Sequence, residues 1–347
     1  MIKISSKDFE TQNNFEKTKQ ITSISIFEAK LDFTPKITIA IPTYKRAGFL
    51  KEAVDSAINQ IGYDEYEIIV LDNNPERDCE TEQLMVSYNN PRISYYKNEK
   101  NIGMYGNWNR CIELSKGEYL TILNDDDLLD LNYLRRVNSF VNLCGNVNVL
   151  LVGFVIFPQD PAPIEKNEKY INKANIITLL FGNINPGSLG VLIKKNILID
   201  LGGFNDVLFP ISDYAIWINI LTNYKNVFII SEKLAYYRMA VNESLKIETQ
   251  ENNIFYTDIL RNKLATKFKN LKILIDIALP AFSYIYFKRV SEYSFDFKIK
   301  YADKLFEVKS KVSYLSYICY YILIVIRKIQ NRYSKIALFH LSRKYYA

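Results

Sequence analysis

Three consecutive carboxylates, Asp125, Asp126 and Asp127, stand just behind a short apolar run, Tyr119-Leu120-Thr121-Ile122-Leu123, with Asn124 between. Carboxylates this close raise one another's cost of ionisation, and a divalent cation is the simplest relief. Hard oxygen donors suit Mg2+ or Mn2+, which take one or two protein carboxylates and complete their shell with substrate phosphates and water. The triplet would also serve as an anionic helix start, where the macrodipole favours negative charge. Its place at the end of a buried strand favours the ligand site. The only histidine is His340, in the far tail. Ser-His-Asp and Cys-His triads are thereby disfavoured and a multi-histidine metal site is excluded, so acid–base work falls to Asp or Glu. Cys79, Cys111, Cys144 and Cys319 lie far apart with no CxxC spacing, which argues against a zinc cluster or a disulfide framework and for a reducing compartment.

The elements that must position such a cluster are visible in the periodicity. Ile37 to Ile41 is a β-branched run that stops at Pro42, and Glu67 to Leu71 is a second, ending in the turn cluster Asp72-Asn73-Asn74-Pro75. Short apolar runs of this kind read as buried strands. Between them, Leu50, Val54, Ala57 and Ile58 share one helical face. A polar helix near 78–89, a strand at Ile93–Tyr96, a helix over 105–115 and the strand before Asn124 follow. Strands alternating with helices predict βαβ units and a mostly parallel α/β sheet covered on both faces. In such sheets ligands bind outside the carboxyl ends of the strands, where Pro42 to Arg46, Asp72 and Asn73, and Asn124 to Asp127 all fall. Further on, the pattern predicts a strand at 147–157, a loop at 160–170, a helix at 171–181, an apolar segment at 189–193 and a helix opening at Asp213.

Together, Ile39-Ala40-Ile41-Pro42-Thr43-Tyr44-Lys45-Arg46, Val70-Leu71-Asp72-Asn73-Asn74, Asn101-Ile102-Gly103 with Asn107-Trp108-Asn109, Gly117-Glu118-Tyr119 leading to Asp125-Asp126-Asp127, and Gly202-Gly203-Phe204 before Ser212-Asp213 resemble the family 2 glycosyltransferases of GT-A fold, of the bacterial polysaccharide type. The resemblance spans residues 37 to 245, about 60% of the chain. It implies a GT-A sheet, an inverting transfer from a nucleoside-diphosphate sugar, UDP-linked in the first instance, and a glycan or lipid-linked glycan as acceptor. By the same resemblance, Pro42, Thr43, Tyr44 and Arg46 wrap the base and ribose. Asp72 accepts a hydrogen bond from the base, and Asn101 and Asn109 line the donor pocket. Asp125 faces the ribose, Asp126 ligates the metal with Asp127 beside it, and Asp213 is the general base. Two positions depart from the pattern: Ser212 stands where an acidic partner precedes the base, and Ala240 where a histidine is frequent. Arg238 is either a diphosphate contact or a surface residue.

Charge divides the chain. From Arg261 onward there are 18 Lys/Arg against 5 Asp/Glu, while the whole chain carries +6. Leu271–Phe287 and Val312–Ile326 are the most apolar runs, the second flanked by Lys309, Lys311, Arg327 and Lys328. Apolar helices interleaved with Tyr and cations suit the interface of an anionic membrane, although core packing explains the same runs. No nucleic-acid module is recognisable, so nucleic acid is not an expected partner. The N-terminal residues lack the basic-then-apolar layout of a secretory signal. The expected organisation is an N-terminal extension over 1–35, a catalytic domain over 36–245 with donor (36–130) and acceptor (131–245) halves, and a basic, aromatic-rich helical region over 246–347. The expected location is cytoplasmic, peripheral at the inner face of the membrane. A sugar nucleotidyltransferase and a non-catalytic membrane-docked scaffold of the same fold are the alternatives.

Overall fold

The computed structural model describes residues 12–157, 169–184, 187–239, 246–293 and 295–346. Its first half is built from β1 (Ser23–Phe27), β2 (Ile37–Thr43), α1 (Ala47–Ile58), β3 (Tyr66–Asp72), α2 (Glu80–Ser87), β4 (Ile93–Asn98), α3 (Gly103–Leu114) and β5 (Tyr119–Ile122). β2 and β3 are buried at every position. That is why they read as continuous apolar runs rather than as alternating ones. β4, β3, β2 and β5 pair in parallel, as expected, and β1 closes the edge antiparallel to β4. The segment before residue 36 thus contributes a sheet strand.

The second half adds β6 (Leu128–Leu129), α4 (Tyr133–Cys144), β7 (Val149–Phe157), β8 (Ile171–Lys173), β9 (Val191–Lys194), α5 (Lys195–Asp200), α6 (Ser212–Asn223) and β10 (Val227–Arg238). β9 lies antiparallel between β5 and β7, β10 runs parallel to β7, and β6 and β8 pair antiparallel with β10. The ten-stranded sheet is therefore mixed, with parallel pairing in the β4-β3-β2-β5 block and again between β7 and β10. The helix expected over 171–181 is instead β8 followed by a 3-10 turn over Ile176–Phe181, capped by the Asn175 side chain and ended at Gly182. Residues 160–168 of the expected loop lie outside the described residues.

Two cores sandwich the sheet. Ile37, Ile39 and Ile41 face α1 and α4, whereas Ala40 and Leu120 face α3 and α6. The chain then turns wholly helical: α7 (Ile247–Ala265), α8 (Lys272–Tyr293), α9 (Phe295–Lys300), α10 (Ala302–Ser310), α11 (Tyr314–Ala337) and α12 (Phe339–Tyr346). Leu260 and Leu264 of α7, Ile275, Ala278 and Phe282 of α8, and Cys319 and Leu323 of α11 join the same core as α3 and α6. The first apolar run of the tail is thus core. The second is half so: α11 buries Ser316, Cys319 and Leu323 and leaves Leu315, Ile318, Tyr321, Ile322, Val325, Ile329 and Tyr333 exposed. Among the described residues no single helix is long and apolar enough to cross a membrane, although α10 and α11, bent by 88°, pass that test as a pair.

Candidate functional site

The carboxyl ends of β2 and β5 open on one cleft of about 930 Å³, whose walls include Pro42, Thr43, Tyr44, Arg46, Asn73, Asn101, Asp125, Asp126 and Asp213. The strand ends are tied together: Asn73 N donates to the Thr43 carbonyl (2.9 Å) and Leu123 N to the Ala40 carbonyl (2.9 Å). After β2 the chain turns at Lys45, with φ +55°, and enters α1 behind Arg46.

The acidic loop separates into two kinds of residue. Asp125 accepts the Thr43 hydroxyl (2.7 Å), and Asp126 pairs with the Arg46 guanidinium (2.9 Å), which also reaches Asp125 at 3.5 Å. Burial pushes the Asp125 carboxyl up to about 6, with Thr43 pulling down and the Asp126 charge adding to the rise. Burial raises Asp126 too, and Arg46 opposes it. These two line the cleft. Asp127 does not: its Oδ1 accepts Arg238 N–H (3.0 Å) and its Oδ2 the Asn124 amide (2.9 Å), and it is 1% exposed. The expectation that Asp127 is a metal ligand is corrected on its place: it is buried off the cleft wall, with Oδ1 tying the loop to β10 and Oδ2 bracing the loop's own Asn124. Burial pushes it up to about 7.

Arg238 is neither a surface residue nor a cleft residue. Buried between Phe49 and Phe157, it donates to the Asp126 carbonyl (2.9 Å) and pairs with Glu52 (2.6 Å). It clamps the acidic loop from behind. Ala240 lies outside the described residues.

Asp72 also departs from expectation. It is fully buried at the end of β3, its Oδ2 accepting the Tyr95 hydroxyl (2.9 Å) and the Lys97 ammonium (2.9 Å), its Oδ1 the Asn74 N–H (2.9 Å). Lys97 reaches Glu82 as well, at 3.4 Å. Contrary to the expectation that it contacts the base, Asp72 stands off the cleft wall in this geometry, engaged by Tyr95, Lys97 and Asn74. The next residue, Asn73, faces the cleft. Its carboxamide holds Asn101 (2.8 Å) and receives Ile102 N–H (2.9 Å) and the Asn98 amide (3.1 Å), so it fixes the start of α3.

Asn109 does not reach the cleft either. Its Nδ2 donates to the Phe204 carbonyl (2.8 Å) and its Oδ1 accepts Phe204 N–H (2.7 Å). Gly202 and Gly203 adopt φ +76° and +73°, and a Cβ on Gly203 would stand 2.5 Å from Asn109 Oδ1. The Gly-Gly-Phe turn is thus a packing joint between α3 and the segment leading to α6.

That segment delivers Asp213 to the first turn of α6, on the cleft wall. Its Oδ2 accepts the Asn183 amide at 2.6 Å. Burial pushes the carboxyl up to about 6, partly offset by the Tyr214 N–H and Asn183. Ser212 turns away, its hydroxyl accepting Asn205 N–H (2.7 Å), so no second carboxylate stands beside Asp213. Sequence reasoning missed Asn183, Lys97 and the far wall of the cleft, where Thr249, Asn253, Tyr286 and Arg289 project from α7 and α8. The available signal was the i, i+4, i+8 spacing of Thr249, Asn253 and Thr257, which puts three small polar side chains on one face of α7.

Two cleft carboxylates, both lifted by burial and compensated by one arginine, are a donor set of hard oxygens suited to Mg2+ or Mn2+. Among the described residues no group of three or more His, Cys, Asp or Glu forms a closed metal cage. A cation at Asp126 and Asp125 would accordingly share its shell with ligand oxygens and water.

Residues 38–202 match the model of Glycosyl transferase family 2. An uncharacterized glycosyltransferase of Rickettsia felis is 32% identical over 196 residues, 54% of this chain and 32% of that protein; the chain thus spans about a third of that relative's length. The GalNAc(5)-diNAcBac-PP-undecaprenol beta-1,3-glucosyltransferase of Campylobacter jejuni is 26% identical over 224 residues, covering 63% of this chain and 69% of the relative. Among solved structures, S. aureus TarS 1-349 in complex with UDP-GlcNAc superposes with a TM-score of 0.55 at 17% identity over 79% of each chain. Its likeness shows the shared GT-A fold.

Proposed function

Since the chain belongs to the family 2 glycosyltransferases through residues 38–202, we propose that it is an inverting, Mg2+- or Mn2+-dependent transferase. The donor is a nucleoside-diphosphate sugar, UDP-linked, and the acceptor a lipid-linked or growing surface glycan. One observation carries this reading: a single cleft holds the Asp125–Asp126 pair and, on a separate element, an Asn183-held Asp213. The Campylobacter relative's name specifies an undecaprenol-linked substrate, and the TarS complex contains a UDP-sugar; both favour the same classes here.

In this reading Asp126, with Asp125, holds the cation, whose role when bound is to offset charge on the departing diphosphate. Thr43, Tyr44 and Asn73 hold the nucleoside at the ends of β2 and β3. Asp213 accepts the proton of the acceptor hydroxyl as that oxygen attacks the anomeric carbon. A single displacement inverts the configuration there. Asn183 fixes one Asp213 oxygen and so holds the carboxylate on the cleft wall where the acceptor would enter. The exposed apolar face of α11, with Lys328 and Arg332 beside it, suits an anionic membrane surface. A peripheral position at the inner face of the membrane goes with a lipid-linked acceptor.

The family match gives the nucleotidyltransferase alternative no support. Incubation with UDP-sugars tests the reading: metal-dependent UDP release that is lost in Asp126→Ala and in Asp213→Asn is expected. Pyrophosphate release from a nucleoside triphosphate and a sugar phosphate would favour the nucleotidyltransferase. Unimpaired glycan assembly by both variants would leave the scaffold.

A further inference from the structure

Two cations stand on the cleft wall, and they are in different electrostatic situations. Arg46 is neutralised by Asp125 and Asp126. Arg289, on the last turns of α8, is exposed, and among the described residues it has no carboxylate within ion-pair distance. An exposed guanidinium with no such partner, at the edge of this cavity, is available to an anion that enters on its side.

The wall that carries Arg289 is rigidly built. Arg261 of α7 is 2% exposed, donates to the Leu180 carbonyl (2.9 Å), pairs with Asp258 (2.9 Å) and lies over the rings of Phe282 and Tyr286. It locks α7 and α8 to the segment that continues into Asn183. Beside Arg289 the wall is neutral and hydrogen-bonding, through Thr249, Asn253, Thr257 and Tyr286. Behind it, Phe282 of α8 packs on Tyr320 of α11 (4.8 Å between centroids), the helix with the exposed apolar face. One polar, cationic wall thus lies between the base Asp213 and an apolar helix.

We propose that Arg289 anchors a phosphate carried by the acceptor, between its sugar and its lipid. The inference rests on the lipid-linked acceptor reading and deepens it: the phosphate sits at Arg289, the sugar reaches toward Asp213, and the chain leaves along α11. A phosphate would meet this cation charge to charge, whereas a free sugar would offer it only neutral hydroxyl acceptors. Donor phosphates belong to the opposite end, where Asp126 and its cation hold them.

Tryptophan fluorescence titration, with Trp108 on the cleft wall and a Trp217→Phe background to isolate it, tests this with farnesyl diphosphate, farnesol and Mn2+–UDP as separate probes. Wild type is expected to bind farnesyl diphosphate more tightly than farnesol. Arg289→Ala should weaken the diphosphate about tenfold, the scale of one hydrogen bond to a charged group, with Arg289→Lys in between and UDP affinity held. Unchanged farnesyl diphosphate affinity in Arg289→Ala overturns the proposal. So does a parallel fall in UDP affinity, which would make Arg289 a donor contact. A loss confined to phosphatidylglycerol vesicles would assign it to lipid headgroups instead, and also overturns it. If wild type binds UDP-sugars but not farnesyl diphosphate, this inference fails and the transferase reading stands. If farnesyl diphosphate binds through Arg289 while no nucleotide sugar binds, the transferase reading fails by itself.

Discussion

The Asn183 amide nitrogen lies 2.6 Å from Asp213 Oδ2, joining a loop residue on the cleft surface to a buried carboxylate on α6. Burial raises the Asp213 carboxyl to about 6, and Asn183 is one of the groups that keep it from rising further. A general base works only when ionised, so the acid limb of kcat/KM should fall away as pH drops through about 6. Removing the amide in Asn183→Ala takes away a contact that favours the charged form. The limb should move to higher pH by about one unit, the equivalent of one charge-assisted hydrogen bond. A uniform loss of rate with an unmoved limb would show that Asn183 only shapes the loop.

Asp126 and Asp127 are neighbours with opposite surroundings, and their substitutions should separate. Asp126→Ala removes a cleft carboxylate that touches Arg46. It should fold normally and lose the thermal shift that Mn2+ and UDP produce together. Asp127→Ala strips the acceptor from Arg238 N–H and the Asn124 amide. Each buried donor left unpaired costs about 1–3 kcal/mol, so Tm should fall. The Mn2+ concentration needed for half of the UDP-dependent shift should change far less than in Asp126→Ala. If the two variants respond alike to Mn2+, Asp127 is a ligand after all.

The joint between Asn109 and the Gly-Gly-Phe turn predicts a purely structural pair of phenotypes. Asn109→Ala leaves both backbone groups of Phe204 without their partner, at a cost of about 2 kcal/mol or more in denaturant unfolding. Gly203→Ala adds a Cβ against Asn109 Oδ1 at a left-handed φ, and should destabilise comparably. Neither should alter UDP affinity at temperatures where the fold persists. A selective loss of UDP binding by Asn109→Ala would return it to the donor pocket.

What could be read from the residues follows from the range of the forces involved. β2, β3 and β5 are buried on both faces, so their burial is written in consecutive residues and their ends point out the cleft. The pairing of Asp72 is not legible locally because its partner, Lys97, sits 25 positions away on the neighbouring strand; only the register of β3 and β4 brings them together. Asn109 and Phe204 are 95 positions apart, beyond any local pattern. Ile176-Ile177-Thr178-Leu179-Leu180-Phe181 has helical apolar spacing, yet Asn175 and Gly182 bound it so closely that only 3-10 turns form. The two apolar tail runs look alike as strings. Packing distinguishes them, sinking α8 into the core and leaving one face of α11 outside.

The Lys97–Asp72 pair makes a test of base reading. Lys97 is 3% exposed at its side chain and Asp72 0%. Lys97→Met should cost about 3–5 kcal/mol, because it strands a buried charge. Adding Asp72→Asn should recover much of that loss, the signature of a coupled pair. If Asp72 is structural, the ratio of UDP to GDP affinity in Asp72→Asn should match that of wild type. A relaxed preference for UDP would put the carboxylate back in contact with the base.

The exposed face of α11 makes the last prediction. Tyr321, Val325, Ile329 and Tyr333 are 60%, 54%, 56% and 76% exposed and recur at helical spacing. Leu323 and Cys319 on the opposite side are buried. An outward apolar stripe flanked by Lys328 and Arg332 has little reason to persist in water. Ile329→Asp and Val325→Asp should therefore cut flotation with phosphatidylglycerol vesicles, and leave Tm near wild type because neither side chain packs in the core. Neutral phosphatidylcholine vesicles should bind more weakly throughout, and added salt should narrow that gap. Transfer to a water-soluble acceptor analogue should be untouched by both substitutions, whereas transfer to a vesicle-borne acceptor should drop with flotation. Flotation unchanged by either substitution would mean that the stripe meets another protein surface instead.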